Sequence, residues 1–249
     1  MPSQSQHRVD GPFLTKSQLG LLIGGLLTTA IGQSFIFAIL PPLGRDVGFD
    51  ELQINTLISP SALIFSLGSA IWGRISDRIG RKPVILAGLV GYAIGNLCFT
   101  LVFDAAMRGW IAGFPLFLAA LAVRCSQAAV MSATSPAAGA YAADYSQPRH
   151  RTKTLAKLGT SNSLGMIFGP IMAGALAGLG LLFPLYTATG LAVVAVIVIA
   201  RYLPNDRSAT GRQKDQKKLA TFDKRVRGLL ICSVSAFTGF AGIQQTLAF

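Results

Sequence analysis

Charge is what this chain has least of. Asp, Glu, Lys and Arg make up 13% of its 249 residues, against about 25% in soluble domains. Hydrophobic residues make up 51%, and the mean hydropathy is +0.53. That imbalance points to lipid rather than water as the main solvent. Histidine is scarcer still: His7 and His150 both lie in polar segments, which leaves no imidazole for a metal centre or for activating a Ser or Cys nucleophile. Cys98, Cys125 and Cys232 sit singly inside apolar runs, where cysteine acts as a small packing residue; a disulfide framework or a thiolate metal site needs other spacings. There is no phosphate-cradling glycine loop and no pair of catalytic carboxylates. Nothing favours an enzyme, and no metal or organic cofactor is expected.

Six long apolar runs fill the space left by charge. They cover residues 17–44, 52–73, 83–103, 109–143, 158–200 and 228–249, with Arg124 the one charge inside them apart from run edges. A membrane-spanning helix needs about 20 apolar residues, so each run is long enough to cross. The fifth is too long for one crossing, and Gly178, Gly180 and Pro184 offer a turn in its middle. The first is read as a span rather than a cleaved leader, being too long and flanked only by Arg8 and Lys16. The expected organisation is a cytoplasmic tail over 1–18, a six-helix membrane bundle over 19–203, a basic linker over 204–227 and a seventh span over 228–249.

The cations fix an orientation. With the amino terminus inside the cell, all but Arg45, Arg108 and Arg124 of the 22 Lys and Arg fall on the inner side, as the positive-inside rule requires. The formal net charge of +12 is therefore read as a set of short loops facing anionic lipid headgroups, not as a nucleic-acid footprint.

Three motifs carry more specific information. Between the second and third runs stands Gly73-Arg74-Ile75-Ser76-Asp77-Arg78-Ile79-Gly80-Arg81-Lys82-Pro83. Glycine permits a tight turn between helices, and an ionised Asp77 beside Arg78, Arg81 and Lys82 can form a cluster that is made or broken as helices shift. The fourth run holds Arg124 and Gln127, three apart and so on one helix face; a charge at membrane depth is costly enough to presume a function. The next run holds Gly165, Gly169, Pro170 and Gly174, small residues whose spacing lets helices approach closely. Gln33, Asn55 and Asn162 are polar candidates for lining a path through the spans, and Asp144 with Arg151 is a candidate charge pair at the inner surface.

These segments resemble those of the major facilitator superfamily. The 73–83 loop is similar to its signature loop, with Ser76 where a small apolar residue is usual. The Arg124–Gln127 segment resembles its fourth-helix motif, with Ala128 in place of the usual Gly. The 165–174 segment resembles the motif of drug:proton antiporters, with Ala173 replacing one Gly. Gly32 with Pro41 and Pro42, and Tyr141 to Asp144 followed by Arg151, are weaker echoes. The resemblance implies an all-α membrane protein: a six-helix bundle of two inverted three-helix repeats, followed by part of a second half. It also implies transport of a small molecule by alternating access, with efflux by proton antiport as the first expectation and a bacterial inner membrane as the setting. The 73–83 loop would be a conformational latch. Arg124, Gln127, Gln33, Asn55 and Asn162 would line the proton or substrate path. A missing carboxyl-terminal half or a second copy would be the partner, and a proton gradient the energy source. No Asp or Glu lies within a run, which moves any titrating acid outside these segments. A truncated, non-transporting fragment and a sugar or metabolite symporter are the alternatives.

Overall fold

Residues 14–204 are described in a computed structural model of the chain. Helices form because hydrocarbon offers backbone N–H and C=O groups no partners, so each segment must satisfy its own. The described helices are α1 (Lys16–Asp46), α2 (Glu51–Ile79), α3 (Arg81–Met107), α4 (Gly113–Met131), α5 (Thr134–Asp144), α6 (Arg151–Ala177) and α7 (Phe183–Tyr202), with a 3-10 turn at Pro148–His150. No strand occurs among the described residues. The linker beyond Pro204 and the seventh span lie outside the described residues, as do the first 13 residues of the tail.

Helix ends are set by local chemistry. At the start of α1 the Thr15 hydroxyl accepts from the Gln18 amide at 3.3 Å, and the Gln18 side chain accepts from the Thr15 amide at 3.0 Å, a reciprocal cap. Gly80 separates α2 from α3 at φ 109°, a conformation a β-carbon disfavours. Helices α6 and α7 are joined by a turn over 178–182, as Gly178, Gly180 and Pro184 predicted.

The fourth run departs from the expected single helix. Residues 109–112 are turn and extended backbone, and the helix is interrupted at Ser132 and Ala133. Pro136 supplies the reason. It cannot donate to the Ser132 carbonyl four residues back, and its ring crowds that carbonyl. Neighbours hold the joint. Trp72 Nε1 donates to the Ala129 carbonyl at 2.7 Å and Ser132 Oγ donates to the same oxygen at 2.8 Å. Gly88 of α3 lies against Thr134, where any β-carbon would collide. α4 and α5 together make one bent crossing.

Five crossings are long and apolar enough to span a membrane: α1, α2, α3, the joined α4–α5 and α7. At 27 residues α6 is about 40 Å long, which is also enough, but Thr160, Ser161, Asn162 and Ser163 dilute its first half. One end of the bundle gathers Lys16, Arg74, Arg78, Arg81, Lys82, Arg149, Arg151, Lys153, Lys157 and Arg201, while the other holds Arg45 and Arg108 with Asp46, Asp50, Glu51 and Asp104.

The packing pattern has an internal exchange. α1 packs on α6 as α4 packs on α2, and α3 packs on α4 and α5 as α7 packs on α1. α3 and α7 pack on each other. Exchanging the first three crossings for the last three leaves this pattern unchanged, as two three-helix repeats require. The core is apolar at both ends: one cluster centres on Phe35, Leu43, Phe49, Phe99 and Phe103, the other on Leu22, Leu89, Tyr141 and Ile199.

The α1–α6 contact is the most extensive. A β-carbon on Gly165 would stand 2.5 Å from Ala30 Cβ and 3.0 Å from the Ile31 amide, whereas Gly174 has nothing within 4 Å. Gly165→Leu is expected to separate the two helices and lower stability by about 1–3 kcal/mol or more. Gly174→Ala is expected to be neutral or stabilising by up to about 1 kcal/mol. Thermal unfolding of the purified chain in detergent distinguishes the two.

Candidate functional site

The 73–83 loop is built around Arg81. Its Nη1 lies 2.6 Å from Asp77 Oδ1 and 2.6 Å from Ser76 Oγ, while its Nε lies 3.3 Å from Asp144 Oδ2 at the end of α5. Ser76 is buried and donates in turn to the Gly73 carbonyl at 2.8 Å. A serine in place of an apolar residue thus adds an acceptor for the guanidinium. Lys82 reaches elsewhere: its Nζ donates to the Ala200 carbonyl at 2.9 Å, in the last turn of α7, where a cation is favoured by the exposed carbonyl ends. Arg78 and Arg74 are exposed. The ion pair found for Asp144 is with Arg81, whereas Arg151, its expected partner, is exposed at the start of α6. Sequence proximity favoured Arg151; the fold brings α3 to α5.

Deep in the bundle lies a polar cluster. Arg124 and Gln127 are 2% and 1% exposed, and Arg124 Nη1 donates to Gln127 Oε1 at 2.8 Å. Burial excludes snorkelling to the surface. Both side chains lie inside the bundle, as expected. A wet cavity was expected around them; on one side α3 packs directly on the pair, with Gln127 against Gly95. The Tyr92 oxygen abuts Gly32 of α1. Asn96, one turn further along α3, donates to the Leu185 carbonyl at 2.8 Å and to Thr189 Oγ1 at 2.9 Å on α7. Four crossings therefore converge on one polar layer. Within it Arg124 Nε, Gln127 Nε2, Tyr92 Oη and Asn96 Oδ1 have no hydrogen-bond partner among the described residues, and neither does Gln33 Oε1 on α1. Tyr92 and Asn96 were not foreseen. The available signal was Gly88, Gly91 and Gly95 interleaved with them in the third run, small residues that admit a neighbour closely.

The α6 motif forms a joint with α1. Pro170 cannot donate to the Met166 carbonyl, and that carbonyl accepts instead from Ser34 Oγ on α1 at 3.3 Å. Gly169 lies against Ser34, and Ser161, Gly165, Gly169 and Ala173 make one buried stripe. Ala173 thus continues the contact that Gly174, on the open face, does not join.

Of the remaining candidates, Asn162 lines a cavity of about 260 Å³ with Leu26, Ser135, Gly139, Leu155, Leu158 and Gly159, between α1, α5 and α6. Asn55 lies four residues into α2, far from the Asp77 loop at its other end.

This arrangement can be set beside known proteins. A family model described as Major Facilitator Superfamily matches residues 22–249. The chain belongs to the major facilitator superfamily. Its relatives in that superfamily include Multidrug resistance protein 2 of Bacillus subtilis, 24% identical over 78% of this chain and 46% of that protein. They also include the class B tetracycline resistance protein of Escherichia coli, 31% identical over 70% of this chain and 41% of that protein. The crystal structure of the human organic anion transporter MFSD10 (TETRAN) superposes with a TM-score of 0.60 at 21% identity, covering 75% of this chain and 47% of that one. The chain spans about half the length of the curated relatives it matches. It is an all-α member of a superfamily of membrane transporters rather than of enzymes.

The Ser34–Met166 bond generates a prediction. Ser34→Ala leaves a buried carbonyl unpaired and is expected to lower stability by about 1 kcal/mol. Pro170→Ala restores an N–H that can reach Met166, so the loss from Ser34→Ala is expected to shrink or vanish in the double variant. A double-mutant cycle read by thermal or denaturant unfolding checks this.

Proposed function

We propose that this chain forms one half of a secondary transporter that exports small molecules by alternating access, driven by a proton gradient across a bacterial inner membrane. The observation that carries the reading is the pairing of two features. A charge cluster at the basic end ties three crossings together, and a buried arginine lies in a polar layer where four crossings meet. Asp77, Arg81 and Asp144 hold the α2–α3 turn to the end of α5, so a shift of either segment must break or remake those bonds. Bistable contacts of this type are what a two-state carrier needs. The amino terminus faces the cytoplasm in this reading, which puts the basic end beside anionic headgroups.

Drug-resistance names among the relatives favour efflux. The small-residue joint of α6 with α1 supports an antiporter-type bundle. Arg124, Gln127 and Gln33 form the interior of the proton or substrate path, and Asn162 lies on its wall. The second half of the path comes from a carboxyl-terminal half or from a second copy of this chain. A bundle that folds and inserts without transporting is the competing reading.

Transport into inside-out vesicles decides between them. The chain joined to a relative's carboxyl-terminal half is expected to accumulate a fluorescent substrate when a proton gradient is imposed. Asp77→Asn and Arg81→Gln are expected to cut the rate by about tenfold while the protein remains folded and inserted, because each removes an ion pair that must re-form on every cycle. Accumulation by neither the chain alone nor the joined protein contradicts the reading.

A further inference from the structure

Two faces of α6 stay outside the bundle, and they differ in chemistry. The buried stripe between them runs from Leu158 to Ala173 and packs on α1. One exposed face carries Gly159, Ser163, Pro170 and Gly174, small residues that let another helix approach closely. The other carries Lys153, Lys157, Thr160, Leu164, Ile167 and Ile171, all exposed. These recur at alternating intervals of four and three residues, so they form one line along the helix. Leu164, Ile167 and Ile171 are 42%, 62% and 67% exposed. Large branched side chains hold a neighbouring backbone at a distance, whereas lipid tails are as apolar as leucine and cover them equally well.

The line changes chemistry on the scale of one leaflet. Lys153 and Lys157 belong to the basic end of the bundle, and the large apolar residues begin two turns further on. Ile167 follows Lys157 by 10 residues, about 15 Å at a rise of about 1.5 Å per residue. That is half of a hydrocarbon core about 30 Å thick. α6 itself contains no Asp or Glu, and the ion pairs found among the described residues use neither lysine.

We infer that this face of α6 seats an anionic phospholipid from the leaflet at the basic end. The headgroup lies between Lys153 and Lys157, and an acyl chain follows Leu164, Ile167 and Ile171. Each lysine stem can rest on apolar surface while its ammonium reaches the phosphate. A zwitterionic lipid brings a cation of its own, which the two lysines repel; an anionic lipid does not. Seating of a lipid here needs only that the bundle crosses a membrane, so a failure of vesicle transport would leave it standing.

Photo-crosslinking reads both the preference and the place. The chain is held in phosphatidylcholine nanodiscs with a trace of phosphatidylglycerol or phosphatidylcholine bearing a diazirine on its acyl chain, and adducts are mapped by peptide mass spectrometry. The phosphatidylglycerol probe is expected to mark residues 160–171 about tenfold more than the phosphatidylcholine probe. Lys153→Gln with Lys157→Gln is expected to remove most of that difference, and Lys153→Arg with Lys157→Arg to keep it. Arg74→Gln with Arg78→Gln removes the same charge from the same end, but on α2, and is expected to leave the α6 adducts unchanged. Unlabelled phosphatidylglycerol is expected to compete, and glycerophosphoglycerol, the same headgroup without chains, is not. Equal marking by the two probes overturns the inference. So does a difference that survives the Lys→Gln pair in folded protein, or falls as far in the Arg74 and Arg78 pair. Competition by the chainless headgroup would make this a site for a soluble phosphate ester, and crosslinks between two copies along the line would make it a dimer contact; either result also overturns it.

Discussion

A bilayer interior contains no hydrogen-bond partners, and the structure follows from that constraint. Every backbone polar group between the two ends must be paired inside the protein. Long helices satisfy this by themselves; prolines break it at known places, and neighbours repair the damage. Pro170 strips the Met166 carbonyl of its helical donor, and Ser34 replaces it from α1. Pro136 interrupts the fourth crossing, and at the break the Ala129 carbonyl accepts from both Trp72 and Ser132. In each case the repair comes with a close approach, Gly169 against Ser34 and Gly88 against Thr134. The weak points of single helices thus become the points at which helices are fastened together.

The same constraint sorts the charges. Ionised side chains are driven to the ends, where Arg81 joins Asp77 and Asp144, and Lys82 closes the end of α7. Two adjacent residues at the start of α3 therefore tie that helix to α2, α5 and α7 at once. A tilt of α3 would disturb all of these bonds together, which makes the 73–83 loop the natural place for a mechanical switch. Arg124 is the exception to the sorting. It remains inside, paired with Gln127 in the polar layer to which Tyr92 and Asn96 of α3 also belong.

Much of this architecture was legible from the sequence because the signal is coarse. Runs of about 20 apolar residues and clusters of Lys and Arg between them give the crossings and their alternation without any knowledge of contacts. The glycine–proline turn between α6 and α7 was readable for the same reason. The bend in the fourth crossing was missed although Pro136 marks it, because apolar content alone treats proline as neutral. Partners distant in sequence were not readable. Asp144 was matched with Arg151, seven residues away, when the fold offers Arg81 from another helix at 3.3 Å. Tyr92 and Asn96 went unnoticed because one tyrosine and one asparagine in an apolar run carry no local signal; only the glycines beside them hint that another helix comes close. In the α6 motif Ala173 is buried and Gly174 is on the open face, a matter of helical phase that the motif's pattern does not reveal.

The account stands on crossings that alternate in direction with the two ends on opposite sides of a bilayer. Single-cysteine labelling with a membrane-impermeant reagent, in a background lacking Cys98, Cys125 and Cys232, tests that most directly. Cysteines placed at positions 78, 153 and 201 should react from one face only, and those at 45 and 108 from the other face only. Reaction of positions 78 and 108 from the same face would contradict the threading and everything derived from it.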